Sequence, residues 1–155
     1  KLSQKFVKSL ASKIKKKIKK IDIILSPAMG GIIIGYEIGK LLGKETIFCE
    51  RVNKKFTLRR GFSIKKNSRV LIVEDVITTG KSSLECFKLI KKCKAKLVGF
   101  ACLIDRSNKT KIKNKIISQV KLKIPTYSKK NLPSFIKNKP VTKPGSRFLR
   151  WLNLV

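Results

Sequence analysis

The chain has 155 residues, with 39 Lys and Arg against 8 Asp and Glu and no His, for a formal charge of +31. That length suits one compact domain with a real core, residues 1–155 throughout, and 42% hydrophobic content with 5 Pro excludes a compositionally disordered chain. The longest apolar runs, such as Ile32-Ile33-Ile34, fall far short of the ~20 residues of a spanning helix, and residues 1–20 never sustain the apolar stretch of a secretory signal.

In chain order, Leu2, Phe6, Leu10, Ile14 and Ile18 recur at four-residue steps among Lys, which predicts an amphipathic helix over residues 2–19. Residues 21–25 form a short β-branched run ended by Ser26-Pro27, a buried strand. A tight turn at Met29-Gly30-Gly31 leads into a helix over 32–42, stopped by Gly43. A second strand covers 46–49, residues 50–60 form a polar, basic loop or mobile hairpin, and 62–64 read as an edge strand. Val70-Leu71-Ile72-Val73 is the clearest buried strand, followed by two acids, a Thr-Thr-Gly turn and a helix over 82–93. Strands over 96–104 and 116–124 flank a charged loop at 109–115. A Pro- and Lys-rich segment then ends in an aromatic tail with Phe148 and Trp151.

Strands alternating with helices imply an α/β fold, a mostly parallel twisted sheet flanked by helices and joined by right-handed crossovers. Ligands of such sheets bind beyond the carboxyl ends of the strands. Residues 27–31, Glu50, residues 74–82 and Asp105-Arg106 all fall at those ends, so they are expected to converge.

The charge invites a nucleic-acid partner, but 32 Lys against 7 Arg are strewn along the whole chain, and the sequence is also rich in Ile and Asn, whose codons, like those of Lys, are A/T-rich. A nucleic-acid footprint instead concentrates on one face and favours Arg. Most of the charge therefore reads as compositional drift on solvated faces, with no specific nucleic acid expected. All eight acids lie between Asp22 and Asp105, and four of them, Glu50, Glu74, Asp75 and Asp105, follow or end apolar runs. Cys49, Cys86, Cys93 and Cys102 form no CxxC pair and have no His to help hold zinc, so they read as free thiols in a reducing cytoplasm.

The segment that carries chemistry is Val70 to Ser83. A buried strand delivers Glu74 and Asp75, and the small-residue turn Thr78-Thr79-Gly80-Lys81-Ser82 opens a helix. Backbone N–H groups at a helix N-terminus form an anion cradle, hydroxyls add donors, and Gly80 lets the backbone approach a phosphate. The carboxylates suit the cis-diol of a ribose, since each can accept from two hydroxyls. The pattern is neither Gly-x4-Gly-Lys-Ser/Thr nor Gly-x-Gly-x-x-Gly. A plainer use of the same residues is Asp75 accepting backbone N–H bonds and Thr-Thr-Gly capping the helix.

This segment resembles the phosphoribosyl-diphosphate (PRPP) signature of type I phosphoribosyltransferases. Pro27-Ala28-Met29-Gly30-Gly31, Phe56-Thr57-Leu58-Arg59-Arg60-Gly61-Phe62, Leu103-Ile104-Asp105-Arg106 and Lys143-Pro144-Gly145-Ser146-Arg147, in this order, resemble the orotate phosphoribosyltransferases over residues 5–147. The resemblance implies the type I phosphoribosyltransferase fold, with the family's N-terminal segment missing before Lys1. It implies transfer of ribose 5-phosphate from PRPP to orotate, giving orotidine 5′-phosphate and diphosphate in pyrimidine biosynthesis.

By position, Glu74 and Asp75 would hold the ribose hydroxyls, and Val76, Ile77, Thr78, Thr79, Gly80, Lys81 and Ser82 would complete the PRPP site. Thr78 and Arg106 would meet orotate, with Arg106 on its polar edge. Ala28, Met29, Gly30 and Gly31 would form the diphosphate loop, which in the family has a non-proline cis peptide. Arg51, Lys55 and Arg59, with Lys54 and Arg60, would reach the diphosphate of a neighbouring subunit from a flexible loop, in a cytoplasmic homodimer with shared sites. Mg2+ would be the cofactor, held mainly by the substrate diphosphate and not by direct protein ligands. The chain departs from many members in having Gly30 where a Lys is common, no His in the flexible loop, and Glu74 where Asp is frequent. Two other readings are a purine-base phosphoribosyltransferase, which would recruit Tyr127, Phe135, Phe148 or Trp151 from core or tail packing to stack on the base, and a nucleic-acid-binding regulator that keeps the fold.

Overall fold

In a computed structural model, residues 2–107, 110–125, 127, 131–137 and 139–140 are described. Residues up to Lys123 form one compact unit, and those from Ile124 onward form another. The first unit contains α1 (Leu2–Lys17), β1 (Ile23–Pro27), α2 (Gly31–Leu42), β2 (Glu45–Val52), β3 (Lys55–Leu58), β4 (Arg69–Ile77), α3 (Lys81–Lys92), β5 (Lys96–Asp105) and β6 (Ile116–Lys121). In the second, α4 (Ser134–Lys137) is a single turn begun by Pro133, whose carbonyl accepts from the N–H groups of Ile136 and Lys137. The motif at 143–147, Phe148 and Trp151 lie outside the described residues. Tyr127 and Phe135 are exposed and do not pack in a core.

The six strands run in the order β3-β2-β1-β4-β5-β6. All neighbours are parallel except β2 and β3, which form an antiparallel hairpin. The period-two alternation of strand side chains sorts the core into two layers. On one face Leu25, Ile47, Ile72, Phe100 and Cys102 pack with Cys86 and Ile90 of α3. On the other, Ile24, Leu71, Val73, Ala101 and Ile117 pack with Leu10 and Ile14 of α1 and with Ile34 and Ile38 of α2. Each such aliphatic side chain contributes about 1.5–3 kcal/mol by leaving water, and both layers share the central strands β1, β4 and β5.

The sequence pattern placed these elements to within a few residues, with two corrections. Residues 62–64 are not a strand. Arg60 and Gly61 both have positive φ, and Phe62 N–H closes a turn on Arg59 O, so the chain leaves the ladder before residue 62. Phe62 and Ile64 instead plug the core, Phe62 meeting Phe48 edge-on at 5.0 Å. The edge strand is β3, within the segment expected as a loop or hairpin, and β2 reaches it through a turn at Asn53 and Lys54, both with positive φ. The last strand is also shorter than expected and ends at Lys121.

At the amino ends of the central strands, Asp22 clamps Arg69 through Oδ2 to Nε at 2.8 Å and Oδ1 to Nη2 at 2.5 Å. That hydrogen bonding holds the Asp22 carboxyl well below the usual carboxylate range. At the opposite end, β1 pairs with β2 on one side and β4 on the other, so the order of connection reverses between β1 and β4. A crevice beyond the carboxyl ends at such a reversal is where open α/β sheets bind ligands.

Candidate active site

Two turns meet at that crevice. The first joins β1 to α2, and its Ala28–Met29 peptide is cis, in agreement with the expectation drawn from the resemblance. Ala28 N–H is anchored on Cys49 O at 2.8 Å, while Met29 is 81% exposed. The second is the segment after Val73. The two turns touch at Gly30 and Asp75: a methyl group on Gly30 would lie within 3 Å of the Asp75 carboxylate. Glycine at 30 thus leaves room for the Asp75 carboxylate in its present rotamer, and Gly31 backs onto Val73 O and Pro27.

The two adjacent acids do not face the same way. They lie inside β4, where consecutive side chains point to opposite faces. Glu74 turns to the α3 side, is buried, and accepts a hydrogen bond from Ser83 Oγ. Burial pushes its carboxyl up to about 7, with the Asp75 charge adding to the rise and the Ser83 hydroxyl opposing it. Asp75 turns to the Gly30 side and is exposed. Of the four acids singled out by position, Asp75 alone is open. Glu50 is paired with Arg59 and Arg60, and Asp105 is buried and accepts from Ser107 N–H and Oγ at 2.8 and 2.5 Å.

Beyond Asp75, Val76 is half-buried and Ile77 belongs to the core, while Thr78, Thr79 and Lys81 are exposed. Glu74 and residues 76–82 line a small cleft of about 60 Å³. Gly80 has φ +73 and caps α3, a left-handed conformation that favours glycine, and a Cβ there would strike Thr110 and Ile112. Thr110 Oγ1 in turn donates to Thr79 O at 3.2 Å, and Thr79 Oγ1 accepts from Lys81 N–H at 3.3 Å. The N–H groups of the first helical turn have no acceptor within the helix and carry its positive dipole end, which suits an anion.

Thr78 and Arg106 are brought together by sheet register. Ile77 pairs with Asp105, and Arg106 N–H donates to Ile77 O at 2.8 Å, so the residues just beyond stand side by side. Arg106 is half-buried, and its Nε is buried without a hydrogen-bond partner.

The hairpin residues lie on the far side of β1. Arg51 caps Phe56 at 4.2 Å and pairs with Glu85 of α3 at 2.5 Å. Arg59 and Arg60 reach Glu50 at 3.7 and 3.4 Å. Lys54 and Lys55 line a cleft of about 460 Å³ between hairpin and α3. The three arginines are thus tied within the chain, and none of these five basic residues lines the cleft of residues 76–82. The sequence reading counted Ser83 among the hydroxyl donors of the cradle, whereas it is buried and donates to Glu74, and it did not find Thr110 and Glu85 as partners. Ser83, nine residues after Glu74 and on the inner face of an amphipathic helix, carried the one usable signal.

Among the described residues no three His, Cys, Asp or Glu come together as metal ligands, and no helix is long and apolar enough to cross a membrane. Cys49, Cys86, Cys93 and Cys102 are free; the Sγ atoms of Cys49 and Cys86 are 3.4 Å apart, and that contact together with burial pushes the Cys86 thiol far up.

The model of the phosphoribosyl transferase domain family matches residues 2–131. An orotate phosphoribosyltransferase of Parvibaculum lavamentivorans is 47% identical over 144 residues, 92% of this chain and 74% of that protein. Among solved structures, an adenine phosphoribosyltransferase from Thermoanaerobacter pseudethanolicus superposes with a TM-score of 0.66 at 19% identity, covering 76% of this chain and 78% of that one. An orotate phosphoribosyltransferase from Aeropyrum pernix does so with 0.63 at 19%, covering 76% and 70%. The structural likenesses establish the shared fold and are indifferent to the base, whereas the sequence match is to an orotate enzyme. With the crevice, the cradle and these matches together, the chain belongs to the phosphoribosyltransferase family, among the orotate phosphoribosyltransferases.

Proposed function

We propose that this chain, as a single phosphoribosyltransferase domain, transfers ribose 5-phosphate from 5-phosphoribosyl 1-diphosphate to orotate, giving orotidine 5′-phosphate and diphosphate. The observation that supports this reading is the close approach of Gly30 to the open carboxylate of Asp75, on the strand that leads into the turn at 78–82, with Arg106 N–H bonded to Ile77 O just before that turn. In this reading Asp75 accepts from the ribose hydroxyls. Glu74, on the opposite face of β4 and in the lining of the cleft at 76–82, braces the start of α3 through Ser83 and is the lesser contact to the diol. Thr78, Thr79, Gly80, Lys81 and Ser82, with the backbone of Val76 and Ile77, receive the 5-phosphate. Residues Ala28 to Gly31 border the diphosphate, with Gly30 keeping Asp75 within reach of both.

Departure of the diphosphate leaves positive charge on the sugar, so the chemistry asks for positioning, an anionic neighbour and exclusion of water more than for a proton-transfer residue. A chain without His can supply all three. Arg106 meets the acidic edge of orotate, and its unpartnered buried Nε supports that role, because a carboxylate-bearing ring supplies the acceptor that the protein does not.

Mg2+ fits the donor set in one way. The described residues offer no cage, but an open carboxylate beside a polyphosphate suits an ion that keeps several waters and is bound mostly by substrate. When bound, Mg2+ would neutralise charge on the leaving diphosphate and be held mainly by that diphosphate, with Asp75 the open carboxylate available to its waters.

The enzyme is further proposed to act as a cytoplasmic homodimer. In support, α2 is poor in charge within a +31 chain, carrying one Lys and one Glu in twelve residues, and it exposes Ile33 and Tyr36 beside Met29. A nucleic-acid role has less behind it, because lysines line three separate clefts and concentrate on none.

The test is turnover with orotate and with adenine, each with PRPP and Mg2+, followed by ultraviolet absorbance. Orotate is consumed and adenine is not; the reverse would move the assignment to a purine enzyme. Arg106→Ala raises the KM for orotate about tenfold or more, the worth of a charged hydrogen bond, and that for PRPP far less. Equal rises in both would count against its assigned role.

A further inference from the structure

With 8 acids serving 39 basic groups, the placing of each acid matters, and one pair at the hairpin has a use beyond stability. Glu85 stands on α3 four residues past Lys81, about 6 Å along the axis at 1.5 Å per residue, and so roughly one turn from the phosphate cradle. Its Oε2 meets Arg51 Nη2 at 2.5 Å and has no hydrogen-bond partner besides this ion pair. Arg51 is fixed from two other sides, by the face of Phe56 at 4.2 Å and by Lys54 O, which accepts from Nη1 at 3.1 Å.

We propose that Glu85 is a positioning residue that holds Arg51 against α3 in the donor-free enzyme, and that the diphosphate of the donor displaces Glu85 to take the same guanidinium. This rests on the reading of the hairpin as a source of diphosphate contacts. It holds equally whether Arg51 serves its own crevice or that of a second copy, because the acid competes in both cases. Glu85 and a diphosphate would compete for the same Nη2 donor, since Nη1 is already taken by Lys54 O. The pair is partly exposed on both sides, and ion pairs of that kind are weak, so the acid yields to a polyanion. Phe56 and Lys54 O keep Arg51 ordered after the acid is gone.

The consequence runs opposite to ordinary damage. Glu85→Gln removes the competitor and lowers the KM for PRPP about two- to fivefold, the range of a partly exposed ion pair, with kcat and the KM for orotate unchanged. Glu85→Asp, which keeps the charge, moves the value back toward wild type. Arg51→Ala raises the KM for PRPP, and in that background Glu85→Gln has no further effect, which closes a double-mutant cycle. An unchanged or raised KM in Glu85→Gln, with Arg51→Ala still weakening the donor, would overturn the proposal and leave the hairpin reading standing. No effect of Arg51→Ala on the donor would instead overturn the hairpin reading itself.

Discussion

The turn after β4 and the hairpin after β2 both rise from carboxyl ends of parallel strands, and they are held in opposite ways. Residues 78–82 are fastened by neutral contacts: Thr110 Oγ1 on Thr79 O, Lys81 N–H on Thr79 Oγ1, and Gly80 packed under Ile112. The hairpin is fastened by charge, Arg51 on Glu85 and Arg59 and Arg60 on Glu50. Of these contacts only the long 3.3 Å bond to Thr79 Oγ1 uses a donor, Lys81 N–H, that a phosphate would also take, so the cradle changes little when an anion arrives. Ion pairs do compete, so the hairpin can exchange an internal acid for an external one. In the proposed reading one region serves as a fixed receptor and the other as a releasable strap.

The largest effect is expected where the fixed region meets the reacting sugar. Asp75→Asn keeps shape and removes the open carboxylate of the crevice, and it lowers transfer by about a hundredfold to a thousandfold, the usual scale for a preorganised electrostatic contact. Its urea midpoint stays near that of wild type, because Asp75 is exposed.

Glu74 should show the next largest effect, and in stability. Its folded-state value of about 7 lies above the ordinary 4.5, so the folded chain binds this proton more tightly than the unfolded one. The contribution is fully present below pH 4.5 and is lost as pH rises through 7. A shift from 4.5 to 7 corresponds to about 3 kcal/mol. Glu74→Gln cannot ionise, so its stability relative to wild type improves by about that amount between pH 4.5 and pH 8. Urea midpoints against pH check this, and parallel curves for the two proteins would refute it. The smallest effect is the gain in donor affinity of Glu85→Gln, which separates the strap from the cradle because no substitution in the cradle should improve binding.

Much of this was legible in the residues. Val70 to Val73 reads as a buried strand and is one, and Thr-Thr-Gly after two acids marked the turn from that strand into a helix. The opposed directions of Glu74 and Asp75 were implied by strand alternation, once β4 is seen to run on to Ile77 and not to stop at the acids. The edge strand Lys55–Leu58 was hidden because its Lys-Phe-Thr-Leu alternation is too short and too basic to outweigh the apolar pattern at 62–64. The glycines at 31, 35 and 39, which let α2 lie against Val73 O, Ser26 and Thr46, became meaningful only with their neighbours known. The partners of Arg51 and Arg59 were not readable at all, since they depend on how hairpin and helix pack.

The most direct test of the central claim sets Asp75→Asn and Glu74→Gln side by side in the orotate assay with saturating PRPP and Mg2+. Asp75 as the acceptor facing the ribose, with Glu74 bracing from behind, predicts a collapse of turnover in Asp75→Asn and retention within about tenfold in Glu74→Gln, the worth of one hydrogen bond. A fall in Glu74→Gln as deep as that in Asp75→Asn, or near-normal turnover in Asp75→Asn, would contradict it.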